Sequence, residues 1–157
     1  EYILYKETID FLKSNGYVQY EISNFSLPGY ECLHNINYWE NGDYIGIGIS
    51  SSSHYNNGRK TNTSNLAEYI KNPLNNLKMK KQPEKIEIAE TIIMGLRLTK
   101  GIDTYKFKDK FKKSIEDLFK TEIEEMTKLN LVKFDENYLK LTQKGLFLAN
   151  EVMEKFV

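Results

Sequence analysis

Residues 31–39, ECLHNINYW, gather one Cys, one His, two Asn, a Tyr and a Trp into nine positions. The chain holds two histidines and one tryptophan, and one of each falls in this stretch. A neutral imidazole ligates iron or zinc, or shuttles protons. The thiolate of Cys32, two residues before His34, is a second possible ligand. Tyr38 and Trp39 offer flat faces to a planar ring system, and Asn35 and Asn37 offer amide hydrogen bonds to polar substituents. Together they suit a large, flat, carboxylate-bearing ligand such as a porphyrin. The plain alternative is that His34 and Trp39 pin the segment to a sheet, since polar-aromatic loops commonly serve packing. A zinc site is disfavoured, because Cys32 and His54 supply too few ligands at a suitable spacing.

The second chemical stretch is GIGISSSS, 46–53. Glycines at a strand end let backbone approach a ligand, and serines can hold a carboxylate, ribose or phosphate edge. Without a following Gly-Lys-Ser/Thr it is neither a phosphate-binding loop nor the dinucleotide fingerprint, so a turn of small residues is the simpler reading. No paired catalytic carboxylates stand out. Glu21 alternates away from its strand's presumed core face and is free to point at a ligand or simply to lie on the surface. Arg97, on an otherwise apolar helix near Glu90, reads as half of an intrahelical or interdomain ion pair.

The elements that must position these residues divide the chain in two. At 157 residues, 40% hydrophobic and 28% charged, it has room for one domain or one and a half. Residues 2–15 read as a helix stopped by Gly16, and YVQYEIS (17–23) as a half-buried strand. A helix feeding a strand is half of a βαβ repeat, whose strand normally lies in a parallel sheet. YIGIGI (44–49) reads as a second short strand, ECLHNINYW as a loop, Asn57-Gly58 as a tight turn, and 65–71 as a short helix stopped by Pro73. The first third therefore reads as the end of a larger α/β domain. The start at Glu1, inside a helix and without Met, suggests a piece of a longer protein. The expected organisation is 1–72 for these last αβ elements, 73–83 for a linker and 84–157 for a second domain.

That second domain is regular. Pro83 opens a helix with Ala89, Ile92, Ile93 and Leu96 along one stripe and Gly101 at its end. Asp103 caps a short helix through about Lys113, and Ser114 with Asp117 resembles a capping box. The helix it opens runs to about 130, with Ile115, Leu118, Phe119, Ile123, Met126 and Leu129 inward. LVKF-DEN-YLKL (131–141) reads as a hairpin, and Thr142 caps a last helix with Leu146, Ala149, Met153 and Phe156 inward. Three helices, a hairpin and a closing helix make a winged-helix-like domain, so the fold class is α+β.

Charge weighs against nucleic acid. Net charge is zero, with 5 basic and 8 acidic side chains over 1–77 and 17 and 14 over 78–157. The helix in the recognition position carries Glu116, Asp117, Glu122, Glu124 and Glu125 against Lys120 and Lys128. That face repels phosphates. The single cysteine, Cys32, permits no internal disulfide and fits a reducing, cytoplasmic setting, and no apolar run reaches the length of a membrane span. An unpaired strand edge near 17–23 invites pairing between copies as a homodimer.

In order, QYEISNFSLPGYECLHNINYW, DYIGIGISSSSH, GRKTNTSNLAEYI, EIAETIIMGLRLTKGID and LTQKGLFLANEVM resemble the carboxy-terminal half of the oxygen-independent coproporphyrinogen III oxidase family. These are radical S-adenosylmethionine (SAM) proteins. The His-Asn-x-x-Tyr-Trp element, His34, Asn35, Tyr38 and Trp39, resembles the family's haem chaperone branch. The resemblance implies the end of an incomplete (β/α) barrel followed by the winged-helix-like domain. It implies that Glu21, Ser23 and Asn24 face the barrel cavity or its mouth, and that Gly46, Gly48 and Ser50 to Ser53 pass near SAM. Ser50-Ser51 stands where the family often has Gly-Ala. It makes His34 the candidate haem-iron ligand, with Cys32 its rival, and Asn35, Tyr38 and Trp39 further porphyrin-contact candidates. The three-cysteine motif that binds the 4Fe–4S cluster is absent, so this chain alone is expected to be catalytically inert. A chaperone would pass haem to apo-proteins. An oxidase would decarboxylate propionates to vinyl groups. A third reading is a winged-helix interaction module without ligand chemistry.

Overall fold

The computed structural model describes residues 2–73 and 79–157. Helix α1, Tyr2–Ser14, ends at Gly16, whose φ of +83° reverses the chain. The expected strand over 17–23 shrinks to β1, Val18–Gln19, which pairs antiparallel with β2, Phe25–Ser26. It does not lie in a parallel sheet among the described residues. Beyond Gln19 the backbone turns to bond the second domain: Thr99 N–H donates to the Tyr20 carbonyl and Ile22 N–H to that of Arg97. The carbonyl of Tyr20 and the amide of Ile22, on which edge pairing between copies would draw, are thus used within the chain.

The segment expected to be a loop is a helix, α2, Leu33–Trp39. Spacings of four between His34 and Tyr38 and of three between Ile36 and Trp39 are helical, but seven residues give too short a window to read as a stripe. The expected strand 44–49 is irregular and touches a neighbour only through a Tyr44–His54 bridge. The strands here are β3, Ser52–Tyr55, and β4, Gly58–Thr61, joined by Asn56 and Asn57 at φ +50° and +57°. That two-residue turn, with both φ positive, sits one residue before the Asn57-Gly58 expected, and its twist matches a hairpin. Asn65 caps α3, Leu66–Lys71. The middle of the expected linker, 74–78, lies outside the described residues. Its end forms β5, Lys80–Lys81, the third strand beside β4.

Helix α4, Glu84–Gly95, buries Ile88 and Ile92, with Leu96 just beyond its end; the helix stops at Gly95 rather than at Gly101. Strand β6, Ile102–Asp103, adds to the expected hairpin and completes a three-stranded sheet. Asp103 caps α5, Thr104–Phe111, by accepting from two backbone N–H groups. The single helix expected over 115–130 is broken at Phe119 into α6, Ile115–Leu118, and α7, Lys120–Lys128. The hairpin is β7, Val132–Asp135, with β8, Tyr138–Leu141. The last helix is likewise divided at Leu148, into α8, Gln143–Phe147, and α9, Ala149–Met153, with a closing 3-10 turn over Glu154–Phe156. Phe119, at the first break, packs edge-on against buried Phe156, ring centroids 5.3 Å apart.

Every fully buried apolar side chain among the described residues lies at or after Ile88. At about 1.5–3 kcal/mol for each fully buried aliphatic side chain, the winged-helix-like domain carries the hydrophobic stabilisation. Residues before it leave Ile3, Leu4, Phe11 and Ile47 more than 65% exposed. They are fastened to the second domain by polar ties around α2, together with Ile22 against the core and Tyr2 and Tyr5 against Phe147.

Candidate functional site

Helix α2 presents two different faces. Outward, His34 is exposed and lies edge-on against Tyr38, centroids 4.6 Å apart, one helical turn along. Tyr38 stands in the same manner against Tyr44, at 4.5 Å. Tyr30 and Leu33, close by in the sequence, are 80% and 78% exposed. No hydrogen bond engages the His34 ring among the described residues, so either ring nitrogen is open to a ligand. Cys32 precedes the helix, exposed, and its side chain makes no capping bond.

Inward, Trp39 is covered by Arg97, whose guanidinium carbon lies 4.3 Å from the ring centroid. Trp39 also closes one end of a cleft of about 230 Å³ shared with Leu98, Ile102, Phe107, Lys106 and Tyr138. That volume falls below the roughly 300 Å³ of small-ligand pockets, so the cleft cannot enclose a tetrapyrrole. Asn35 reaches the Tyr20 hydroxyl at 3.4 Å, and Asn37 donates to the Asp43 carbonyl at 3.0 Å. Of the four residues of the His-Asn-x-x-Tyr-Trp element, His34 is therefore the exposed one, backed by half-buried Tyr38, while Asn35 and Trp39 anchor the helix.

Glu21 is neither at the surface nor free. It is fully buried, accepts from Ser23 N–H at 2.8 Å and Asn24 Nδ2 at 2.6 Å, and lies 3.4 Å from Arg97 Nη2. Arg97 thus pairs across the two parts of the chain, not with Glu90, which binds Arg59 at 2.6 Å. The charge of Glu90 holds the Arg59 guanidinium above its usual value against the opposing cost of partial burial. The GIGISSSS turn is also bonded to itself. Asn62 Nδ2 donates to Gly48 O and Ser51 Oγ, both at 2.9 Å, and Gly48 N–H donates to Tyr69. Gly46 is required by close approach, since a Cβ there would sit 2.1 Å from the Ser52 carbonyl. Gly48 at φ +106° and Ser50 at φ +56° give the turn its left-handed backbone.

The residues present do not fit an iron–sulfur cluster. There is one cysteine in the chain, and no trio of His, Cys, Asp or Glu converges among the described residues. Nor do Glu21, Ser23, Asn24 or the 46–53 turn offer SAM an uncommitted charged group. No described helix is long and apolar enough to cross a membrane.

Sequence reasoning missed a polar cluster behind α2: buried Asn41, His54 and Glu87, with half-buried Thr91 at its edge. A signal for it exists in α4, where Glu87, Thr91 and Gly95 recur every four residues beside the apolar stripe. His54 was weighed only as a zinc ligand.

Comparison with known proteins places this geometry. Residues 83–148 match the family model of the HemN C-terminal domain. The heme chaperone HemW of Lactococcus lactis is 37% identical over 156 residues, covering 98% of this chain and 41% of the relative. That of Bacillus subtilis is 30% identical, covering 98% and 42%. The chain thus spans about two fifths of the length of these curated relatives. A solved structure described as coproporphyrinogen III oxidase (HemN) from Escherichia coli, a radical SAM enzyme, superposes with a TM-score of 0.68 at 20% identity, covering 96% of this chain and 39% of that one. This likeness shows the fold: α+β, the end of an incomplete (β/α) barrel followed by a mostly helical, winged-helix-like domain. Residues 83–148 thus form a HemN C-terminal domain, and the chain as a whole is similar to about two fifths of proteins named heme chaperone HemW.

Proposed function

We propose that the protein carrying this chain binds haem on the outer face of α2 and delivers it to apo-proteins in the cytoplasm. The observation that supports this most is the setting of His34: an exposed imidazole without a hydrogen-bond partner among the described residues, held edge-on by Tyr38, with exposed Tyr30 and Leu33 close by in the sequence. A neutral imidazole nitrogen donates its lone pair to haem iron, and Tyr38, Tyr30 and Leu33 supply flat or apolar surface to the porphyrin. A single axial ligand on an open face leaves the haem accessible to a receiving protein. Cys32, two residues before His34 and also exposed, is the rival ligand. Asn35 and Trp39 act by fixing α2.

In the longer family proteins a 4Fe–4S cluster and SAM supply radical chemistry; here Glu21, Ser23, Asn24, Gly46, Gly48 and Ser50 are the proposed SAM-proximal segments, through backbone approach rather than free charge. The cluster would be held by residues other than those of this chain. The testing experiment is transfer: protein loaded with haemin is mixed with an apo-haem protein, and the acceptor's Soret band is followed. Transfer supports delivery. Turnover of coproporphyrinogen without transfer would instead assign the oxidase reaction, and absence of both would leave the interaction-module reading.

A further inference from the structure

His54 is 1% exposed and its ring is addressed from two sides. Nδ1 lies 3.0 Å from the Gly42 carbonyl oxygen, and a carbonyl only accepts, so Nδ1 carries a hydrogen. Nε2 then faces Glu87 Oε1 at 3.6 Å, with no hydrogen-bond partner, and Glu87 Oε2 has none either. In a neutral ring, Nε2 would turn a lone pair towards a buried carboxylate, two acceptors without a hydrogen between them. Burying unsatisfied acceptors in this way is unfavourable. A second ring hydrogen removes the conflict, and a movement of about half an ångström brings the pair to hydrogen-bonding distance.

We infer that a proton is held between His54 Nε2 and Glu87 at neutral pH, and that this pair positions the C-terminal end of α2. Every neighbouring charge is already committed. Lys110 from α5 reaches Glu87 Oε1 at 2.8 Å, while Arg59 from β4 binds Glu90 on α4 and the Asn41 side-chain oxygen. Tyr44, whose backbone bridges His54, stands with its ring centroid 6.2 Å away. Asn41 and Gly42 follow Glu40, the residue that ends α2. Asn41 Nδ2 donates to the same Glu87 oxygen at 3.0 Å, and Gly42 O receives from His54. Asn41 and Gly42 are therefore tied to one imidazolium–carboxylate pair, which makes His54 and Glu87 positioning residues for the face that carries His34. That functional consequence rests on the haem reading above; the proton itself does not.

The test uses ring nitrogen-15 NMR on the purified protein, without haem, at neutral pH. Wild type should show both His54 nitrogens bearing hydrogen. In Glu87→Gln the amide can donate to Nε2, so the ring should lose its second hydrogen. Amide exchange at Glu40, Asn41 and Gly42 should then accelerate about tenfold. His54→Asn, which keeps a donor towards Gly42, should show the same acceleration. A singly protonated His54 in wild type overturns the inference, as does a Glu87→Gln ring that keeps both hydrogens. Unchanged exchange in both variants overturns the positioning role. Should a variant fail to fold, the wild-type spectrum alone decides. Normal haem binding with a singly protonated His54 would defeat this inference only, whereas a doubly protonated His54 in a protein that ignores haem would defeat the haem reading only.

Discussion

Replacing Glu21 probes how α2 and the winged-helix-like domain are joined. The carboxylate is fully buried and makes two short bonds, 2.8 Å to Ser23 N–H and 2.6 Å to Asn24, besides the 3.4 Å approach to Arg97. Glu21→Ala removes the acceptor for all three and leaves the Ser23 amide and the Asn24 amide group short of a partner. Hydrogen bonds to a charged group contribute about 1.5–3 kcal/mol each. The ionic share is discounted because the Arg97 side chain is 26% exposed and water screens it. The expected loss is about 3 kcal/mol for Glu21→Ala, but about 1 kcal/mol for Glu21→Gln, which keeps an acceptor oxygen for Ser23 and Asn24. Urea unfolding followed by Trp39, the only tryptophan, measures both. The ring is covered by Arg97, so its emission should also move to the red when Glu21 no longer holds the guanidinium. A midpoint for Glu21→Ala within about 0.5 kcal/mol of wild type, with unchanged emission, would refute the assignment of this carboxylate as the joining group.

Other substitutions test the scaffold. Ile92→Ala should cost about 2–5 kcal/mol, because Ile92 is fully buried in the one large apolar cluster; chemical unfolding checks it. In Gly145→Ala the new Cβ would meet the Leu131 carbonyl oxygen at 1.9 Å, a backbone atom that cannot swing away. A loss of about 3 kcal/mol or outright misfolding is expected, read by circular dichroism. The Asp135 carboxyl, hydrogen-bonded to Lys140 and further favoured by its charge, titrates below the usual 3.8. Its folded value is the lower one, so its contribution is present above the unfolded value and lost as pH falls through the folded value. Carbon-13 titration should place its midpoint below that of the same residue in Lys140→Met.

The second domain was legible in the sequence because its signals are local and redundant. The Asp103, Ser114 and Thr142 caps, the LVKF-DEN-YLKL hairpin and the inward positions Ile115, Ile123 and Met126 all stand where spacing puts them. The breaks at Phe119 and Leu148 were not legible, since an apolar residue continues a stripe equally well when the helix bends there. The first part was harder for a physical reason. It buries no apolar side chain fully among its described residues, so the alternation of Val18, Tyr20 and Ile22 described no buried face: Val18 is 49% exposed and the only fully buried position nearby is Glu21. Its organisation comes from long-range polar contacts such as Glu21–Arg97, Arg59–Glu90 and Asn41–Glu87, separated by 76, 31 and 46 residues. Periodicity cannot encode contacts of that kind. For the candidate site, residue types singled out nine positions, but reading them as a loop hid that Leu33–Trp39 is a helix, with His34 exposed beside Tyr38 and Trp39 under Arg97.

The most direct measurement is haemin titration of the purified protein against His34→Ala, with Cys32→Ala as the comparison. Substituting exposed His34 should leave the unfolding midpoint unchanged. The account predicts a shifted Soret band and a His-ligated ferric spectrum in wild type and Cys32→Ala, both lost in His34→Ala. A wild-type protein that leaves the haemin spectrum unaltered, or a His34→Ala protein that reproduces the wild-type spectrum, would contradict it.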